Sequence, residues 1–213
     1  TLINFQFRVM DLDPDAVILY HAANDIHTRF VPPELHRGDN TGRRKHWSEP
    51  ELETQLWQLS GLLRLYREFA YKVPPSPNSF TGTTSSWYFT DDQLAVLRQN
   101  TNQYVRRNFD NIIAVAQRHG IAIVMATFAH TPEYTEHYAV WDGYQLGFQQ
   151  SNVMIMELGE QHDVPVYDFA AEMPPDRKYW NDGIHVNAEG ATLKGRLFAE
   201  FLESSGLLPT VAR

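Results

Sequence analysis

The sequence predicts an α/β fold, in which a parallel β-sheet lies between helices on both of its faces. Three apolar runs rich in β-branched residues, at 15–22, 120–129 and 164–170, are continuous rather than alternating. Such runs are typical of strands that are buried on both faces. Each run follows a helical pattern, and strands that alternate with helices indicate a three-layer domain. The 213 residues, 43% of them hydrophobic, are enough for one such domain.

Four segments carry the helical pattern. They are residues 1–13 before the first strand, 91–120 before the second, 143–163 before the third, and 187–206 at the end of the chain. Asp91 and Asp92 are predicted N-caps of the second helix, and Gly120 is predicted to end it. Gly206 is predicted to end the last helix.

Residues from about 31 to 90 interrupt this order and are interpreted as an insertion, which could form a lid over a site. The segment has an amphipathic helical pattern at 49–72, followed by a stretch rich in Pro, Ser, Thr and Gly. Its aromatic residues could shape a pocket, but a small core beneath the loop explains them at least as well. The whole chain is therefore predicted to be a single domain, 1–213.

Composition excludes several classes of function. The net charge of −8 argues against nucleic acid or an anionic membrane as the main partner, because both require a cationic surface. With no cysteine, the chain has no disulfide, thiolate metal site or cysteine nucleophile. No apolar run is long enough to span a membrane. These features leave the cellular location open.

Polar residues follow the first and third predicted strands. In parallel α/β sheets, ligands bind at the carboxyl ends of the strands, which is where these residues lie. Asn24 and Asp25 end the run "ILYHAAND", and an asparagine amide there can donate a hydrogen bond to a developing oxyanion. Asp182 and His185 lie in "NDGIH", where a carboxylate can orient an imidazole that acts as a base. Taken singly, each pair is equally consistent with an ordinary turn. Together they favour acyl transfer to water.

These two motifs resemble blocks of the SGNH (GDSL) hydrolases, a family of esterases with a flavodoxin-like fold. "AAND" at 22–25 is similar to the third block of the family, Gly-x-Asn-Asp, and "DGIH" at 182–185 to the fifth, Asp-x-x-His. The resemblance implies that Asn24 is an oxyanion donor, His185 the general base and Asp182 the residue that orients it. It also implies hydrolysis of acetyl or short acyl esters, of small molecules or carbohydrates, by a serine nucleophile through an acyl-enzyme. No cofactor and no metal are implied.

The sequence departs from the family pattern at two points. Ala22 stands where the family has glycine. No Gly-Asp-Ser block precedes the first strand, and none of the nine serines lies in such a context. A sheet without the preceding strands would also expose an apolar edge. We therefore expect that the N-terminal strands and the nucleophile belong to a preceding segment or to another chain.

Two other functions remain open at this stage. One is an SGNH-like module that binds acylated carbohydrate without catalysis, and the other is a flavodoxin-like domain with an unrelated ligand. Further substrate contacts are predicted for Asp25, His130, Tyr134 and Trp141, which follow the first two strands. Arg29, in the loop after the first strand, is interpreted as a solvated side chain.

Overall fold

The computed structural model of the chain describes residues 1–38 and 92–207. In these residues the sheet has three parallel strands, β1 (Ala16–Tyr20), β2 (Ala122–Ala126) and β3 (Val166–Tyr167), in the order β1-β2-β3. Residue pairing runs from Ala16 beside Ala122 to Tyr20 beside Ala126, and Tyr167 lies beside Ala126 on the other side of β2.

Helices precede and follow the strands. The first, α1 (Leu2–Asn4), continues into a π-helical turn (Phe5–Val9) and a 3-10 turn (Met10–Leu12). The others are α2 (Ala23–His27), α3 (Gln93–Gln99), α4 (Gln103–Arg118), α5 (Asp142–His162), α6 (Phe169–Glu172) and α7 (Ala188–Ser204). Further 3-10 turns lie at Pro33–Leu35, Tyr138–Val140 and Arg177–Tyr179.

The helix predicted at 91–120 is two helices, α3 and α4, because the helical conformation is interrupted at Asn100. Asp92 is the N-cap of α3 and accepts a hydrogen bond from the Ala95 N–H, whereas Asp91 lies outside the described residues. Gly120 and Gly206 have φ values of 70° and 69°, so both glycines adopt the left-handed conformation expected after a helix.

The break at Asn100 is explained by a buried cluster around Arg29, whose side chain is only 1% exposed. Arg29 Nε donates to the Asn100 carbonyl at 2.6 Å, and its Nη1 donates to Asn102 Oδ1 at 2.7 Å. In return, Asn100 Nδ2 donates to the carbonyls of Arg29 and Val31. The loop after α2 is thereby fixed to the α3–α4 junction.

Apolar side chains fill the space on both faces of the sheet. On one face, Leu19 and Met125 pack with buried residues of α4 and α5, such as Ile112 and Ile155. On the other face, Tyr167 and neighbouring aromatic residues pack against α7. Helices on both faces of a parallel sheet confirm the predicted three-layer α/β fold.

Within the described residues, β1 pairs with β2 alone, and Ile18 on β1 is 40% exposed. Most of the insertion predicted at 31–90 lies outside the described residues, including its helical and aromatic segments. Of the helices that the structure describes, none combines the length and the apolar character needed to cross a membrane.

Candidate active site

A cleft of about 560 Å³ lies at the carboxyl edge of the sheet. Asn24, in the first turn of α2, and His185, in the loop before α7, both line it. These two residues are 161 positions apart in sequence, and the parallel sheet brings them together because both follow strands that end at the same edge. The arrangement is the one expected if Asn24 and His185 act on one substrate.

The loop that carries His185 is tied down by backbone hydrogen bonds. Trp180 and Val186 form an isolated antiparallel bridge, and the Asn181 N–H donates to the His185 carbonyl at 2.7 Å. Asn187 caps α7 by accepting from the Gly190 N–H at 2.9 Å. His185 therefore extends from a backbone that is fixed on both sides.

Asp182 holds His185 through both carboxylate oxygens. The His185 Nδ1 lies 2.8 Å from Asp182 Oδ2, while the backbone N–H groups of Ile184 and His185 donate to Oδ1, each at 2.8 Å. Burial alone raises the pKa of the Asp182 carboxyl, but these hydrogen bonds outweigh it and keep the pKa below its ordinary value. Asp182 thus stays ionised, and Nε2, on the other side of the ring, is left to act as a base.

Gly183 is required here for close contact. Of the described glycines, Gly120 and Gly206 have a positive φ and Gly183 does not. A Cβ atom at Gly183 would lie 2.5 Å from His137 Nδ1 and 2.7 Å from Ala139 Cβ. The absence of a side chain therefore lets the Asp182–His185 turn pack against the 3-10 turn at Tyr138–Val140.

We expect Gly183→Ala to lower the free energy of unfolding by about 1–3 kcal/mol, because the methyl group overpacks this contact. Gly195→Ala is the matched control, since a Cβ atom there meets nothing within 4 Å and the residue lies inside α7. The control should stabilise the protein by about 0.5–1 kcal/mol through helix propensity. Urea unfolding measures both; a Gly183→Ala variant as stable as the wild type would contradict the contact.

Asn24 is positioned by the tight connection between β1 and α2. Ala22 precedes the helix with φ −171°, which is outside the left-handed region that favours glycine, and its carbonyl accepts from the N–H groups of Asp25 and Ile26. Alanine is therefore compatible with the backbone at the position where the family pattern has glycine. The exposed Asn24 side chain lines the cleft.

Asp25, which was predicted to contact the substrate, contacts the side chain of His21 instead. Its Oδ2 lies 3.0 Å from His21 Nδ1, and His21 Nε2 lies 2.6 Å from the hydroxyl of Thr1. This chain of hydrogen bonds links α2 to the start of the N-terminal helix. His21 lines the cleft, whereas Asp25 is not part of its lining.

The other three predicted contact residues lie outside the cleft lining. His130 stacks on Phe148 at 4.5 Å between ring centroids, and burial lowers the pKa of its imidazole. The Tyr134 hydroxyl donates to the Trp180 carbonyl at 2.6 Å. Trp141, 43% exposed, precedes α5. A substrate contact by these three residues stays a prediction.

Several residues that line the cleft belong to no recognisable sequence motif. Phe128, Tyr138 and Ile184 form an apolar wall, and Tyr20 and Lys194 line another part of the cleft. Phe128 is held by Asn152, which accepts from its N–H and donates to its carbonyl. Long-range contacts such as these give no signal in a single sequence.

In the described parts of the chain, no group of three or more acidic or histidine side chains is arranged to hold a metal ion.

Comparisons with known proteins identify the family and the fold. The model of the GDSL-like lipase/acylhydrolase family matches residues 2–193. A GDSL-like lipase from Bacteroides thetaiotaomicron is similar in fold, with a TM-score of 0.54 and 15% identity over 96% of this chain and 69% of its own. A protein from Bacteroides fragilis named as an acylhydrolase has a TM-score of 0.54 and 14% identity over 97% of this chain and 69% of its own. No curated protein matches the chain in sequence. The family match covers most of the chain, which therefore belongs to the GDSL-like lipase/acylhydrolase family.

Proposed function

We propose that this chain forms the base and oxyanion side of a serine esterase that hydrolyses acetyl or short acyl esters. The observation that carries the proposal is the Asp182–His185 pair, with 2.8 Å between Oδ2 and Nδ1, in the same cleft as Asn24. An oriented imidazole and a neutral amide donor are two of the three parts that acyl transfer needs. The third part is a nucleophile.

We propose that the nucleophile is a serine of a segment that precedes Thr1 or of another chain. Of the described residues that line the cleft, none is a serine. Ser151 is buried in α5, and the hydroxyls of Ser204 and Ser205 donate to backbone carbonyls near the end of α7. The His185 side chain is 70% exposed, which leaves space beside the ring for another segment.

The proposed reaction has two halves. The serine hydroxyl attacks the ester carbonyl carbon while His185 Nε2 takes its proton, and the Asn24 amide donates to the oxyanion. Collapse breaks the bond to the alcohol, which leaves with the proton from His185. Water then attacks the acyl-enzyme, again losing a proton to His185, and the acid departs as the serine recovers its proton. Asp182 stays ionised throughout and stabilises the imidazolium.

The wall of Phe128, Tyr138 and Ile184 supplies apolar surface for an acyl group beside the two polar residues. Steady-state hydrolysis of p-nitrophenyl acetate by the full-length polypeptide tests the proposal. We expect saturable turnover above the rate of the uncatalysed reaction, and negligible turnover by residues 1–213 alone. A folded full-length polypeptide that hydrolyses no ester, either alone or together with the chains that co-purify with it, would contradict the proposal.

A further inference from the structure

Lys194 gives the cleft a positive charge that the ester chemistry does not use. Its ammonium group lies 3.8 Å from the centroid of the Tyr20 ring, and the rings of Phe169 and Phe198 lie behind it at 5.5 and 5.8 Å. Cation–π contacts of this kind hold an ammonium in place. Lys194 is therefore a half-buried, positioned cation and not a side chain that extends freely into solvent.

Within the described residues, the charge of Lys194 has no acidic partner. In the part of the chain that the structure describes, no carboxylate lies within 4.0 Å of Nζ, and no Asp or Glu lines the cleft. Among those lining residues, Lys194 is the single lysine, and none is an arginine. Burial lowers the pKa of its amine, with no acidic neighbour acting in the opposite direction. An anion entering the cleft would supply the missing counter-charge.

Lys194 and Tyr20 lie close in sequence to the two proposed reacting residues. Tyr20 is the last residue of β1, four positions before Asn24, and Lys194 is in α7, nine positions after His185. The same two chain segments that carry Asn24 and His185 thus also carry Tyr20 and Lys194. The apolar wall of Phe128, Tyr138 and Ile184 belongs to the same cleft. The reacting groups, the wall and the cation therefore line one cleft.

We propose that the natural substrate is an ester with an anionic group, a carboxylate or a phosphate, and that Lys194 binds this group. The inference rests on the proposed esterase function and adds a substrate class to it. Because charge-assisted hydrogen bonds contribute more than neutral ones, the cation should favour anionic esters over neutral isosteres of the same size by about tenfold or more in kcat/KM.

The test uses matched ester pairs with the full-length polypeptide. An anion on the alcohol is represented by para-acetoxybenzoate against para-acetoxybenzamide. An anion on the acyl group is represented by mono-p-nitrophenyl adipate against p-nitrophenyl methyl adipate. We expect the wild type to prefer the anionic member of at least one pair, and the pair that shows the preference identifies which side of the ester carries the charge.

Three variants assign the preference to Lys194. Lys194→Met should abolish the preference for the anionic ester, and Lys194→Arg should retain it. Lys178→Met is the matched control, because Lys178 also lies over a tyrosine ring, Tyr179 at 4.7 Å, but is exposed and outside the cleft lining. The control should keep the preference. Thermal unfolding of each variant checks that it is folded.

Failure of this inference can be separated from failure of the esterase proposal. Equal turnover of both members of each pair, or a preference that survives Lys194→Met, would overturn the role of Lys194 and leave the esterase intact. If no ester is hydrolysed, calorimetric binding of para-hydroxybenzoate and para-hydroxybenzamide decides the point. Tighter binding of the anion, lost in Lys194→Met, would support the anion site, and equal binding would overturn it.

Discussion

Replacing His185 with alanine should reduce ester turnover by the full-length polypeptide by a factor on the order of 10⁴–10⁶ in kcat. The reason is that the other histidine–aspartate pair of the cleft, His21 with Asp25, has its Nε2 engaged by the Thr1 hydroxyl at 2.6 Å. In the described residues, His185 is the cleft histidine that has a carboxylate on one ring nitrogen and no hydrogen bond on the other. Asp182→Asn should reduce kcat by about 10⁴, because an amide at 2.8 Å from Nδ1 favours the tautomer with its proton on Nε2 and leaves that nitrogen unable to accept one. Stopped-flow and steady-state assays with p-nitrophenyl acetate measure both losses.

His162→Ala is the matched control for these variants. His162 Nε2 lies 2.8 Å from Asp110 Oδ1, so it forms another histidine–aspartate pair, but it ends α5 and is not among the cleft residues. Its removal should change kcat less than about twofold. Unchanged turnover in His185→Ala would remove His185 from the mechanism. A loss in His162→Ala as large as that in His185→Ala would show that the assay reports general damage to the fold.

Replacing Arg29 with methionine should lower the free energy of unfolding by about 3–5 kcal/mol. The variant would leave four buried or half-buried acceptors without their donor: the carbonyls of Leu97 and Asn100, and the side-chain oxygens of Asn102 and Gln150. Because a domain is typically stable by about 5–15 kcal/mol, this is a large share of the total. Urea unfolding followed by circular dichroism measures the change.

Arg106→Met is the matched control for Arg29→Met. Arg106 is also an arginine of this region and forms an ion pair with Glu157, but both side chains are partly exposed. Exposed ion pairs contribute little, so the control should lose less than about 1 kcal/mol. A loss of under 1 kcal/mol in Arg29→Met would mean that the buried guanidinium does not hold the α2 loop to the α3–α4 junction. Burial lowers the pKa of Arg29 only to about 10, so the side chain stays charged at neutral pH in this cluster.

The strands, and the place where the two candidate motifs meet, could be predicted because their signals are local. The three apolar runs contain β1, β2 and β3, and "AAND" and "DGIH" each hold their functional residues within four positions. The parallel order of the strands then implies that Asn24 and His185 meet at one edge of the sheet. No contact between distant side chains was needed for these inferences.

The parts that could not be predicted depend on contacts between distant residues. Arg29 was interpreted as a solvated side chain, and that interpretation is wrong, because its partners lie about 70 or more positions away in α3, the α3–α4 junction and α5. The same contacts explain why one predicted helix is two. Gly183 is explained by a contact of the same kind, because the ring of His137, 46 positions earlier, leaves no room for a side chain there. Lys194 looks like any other polar residue in an amphipathic helix.

The origin of the nucleophile is tested most directly by labelling the full-length polypeptide, together with the chains that co-purify with it, with a fluorophosphonate and mapping the adduct by peptide mass spectrometry. These reagents modify a serine that a neighbouring base activates. The account predicts one adduct, on a serine that precedes Thr1 or belongs to another chain, and predicts that His185→Ala prevents its formation. An adduct on any serine within residues 1–213, or an adduct that forms equally in His185→Ala, would contradict the account. A folded protein with no adduct and no turnover would instead favour a binding module without catalysis.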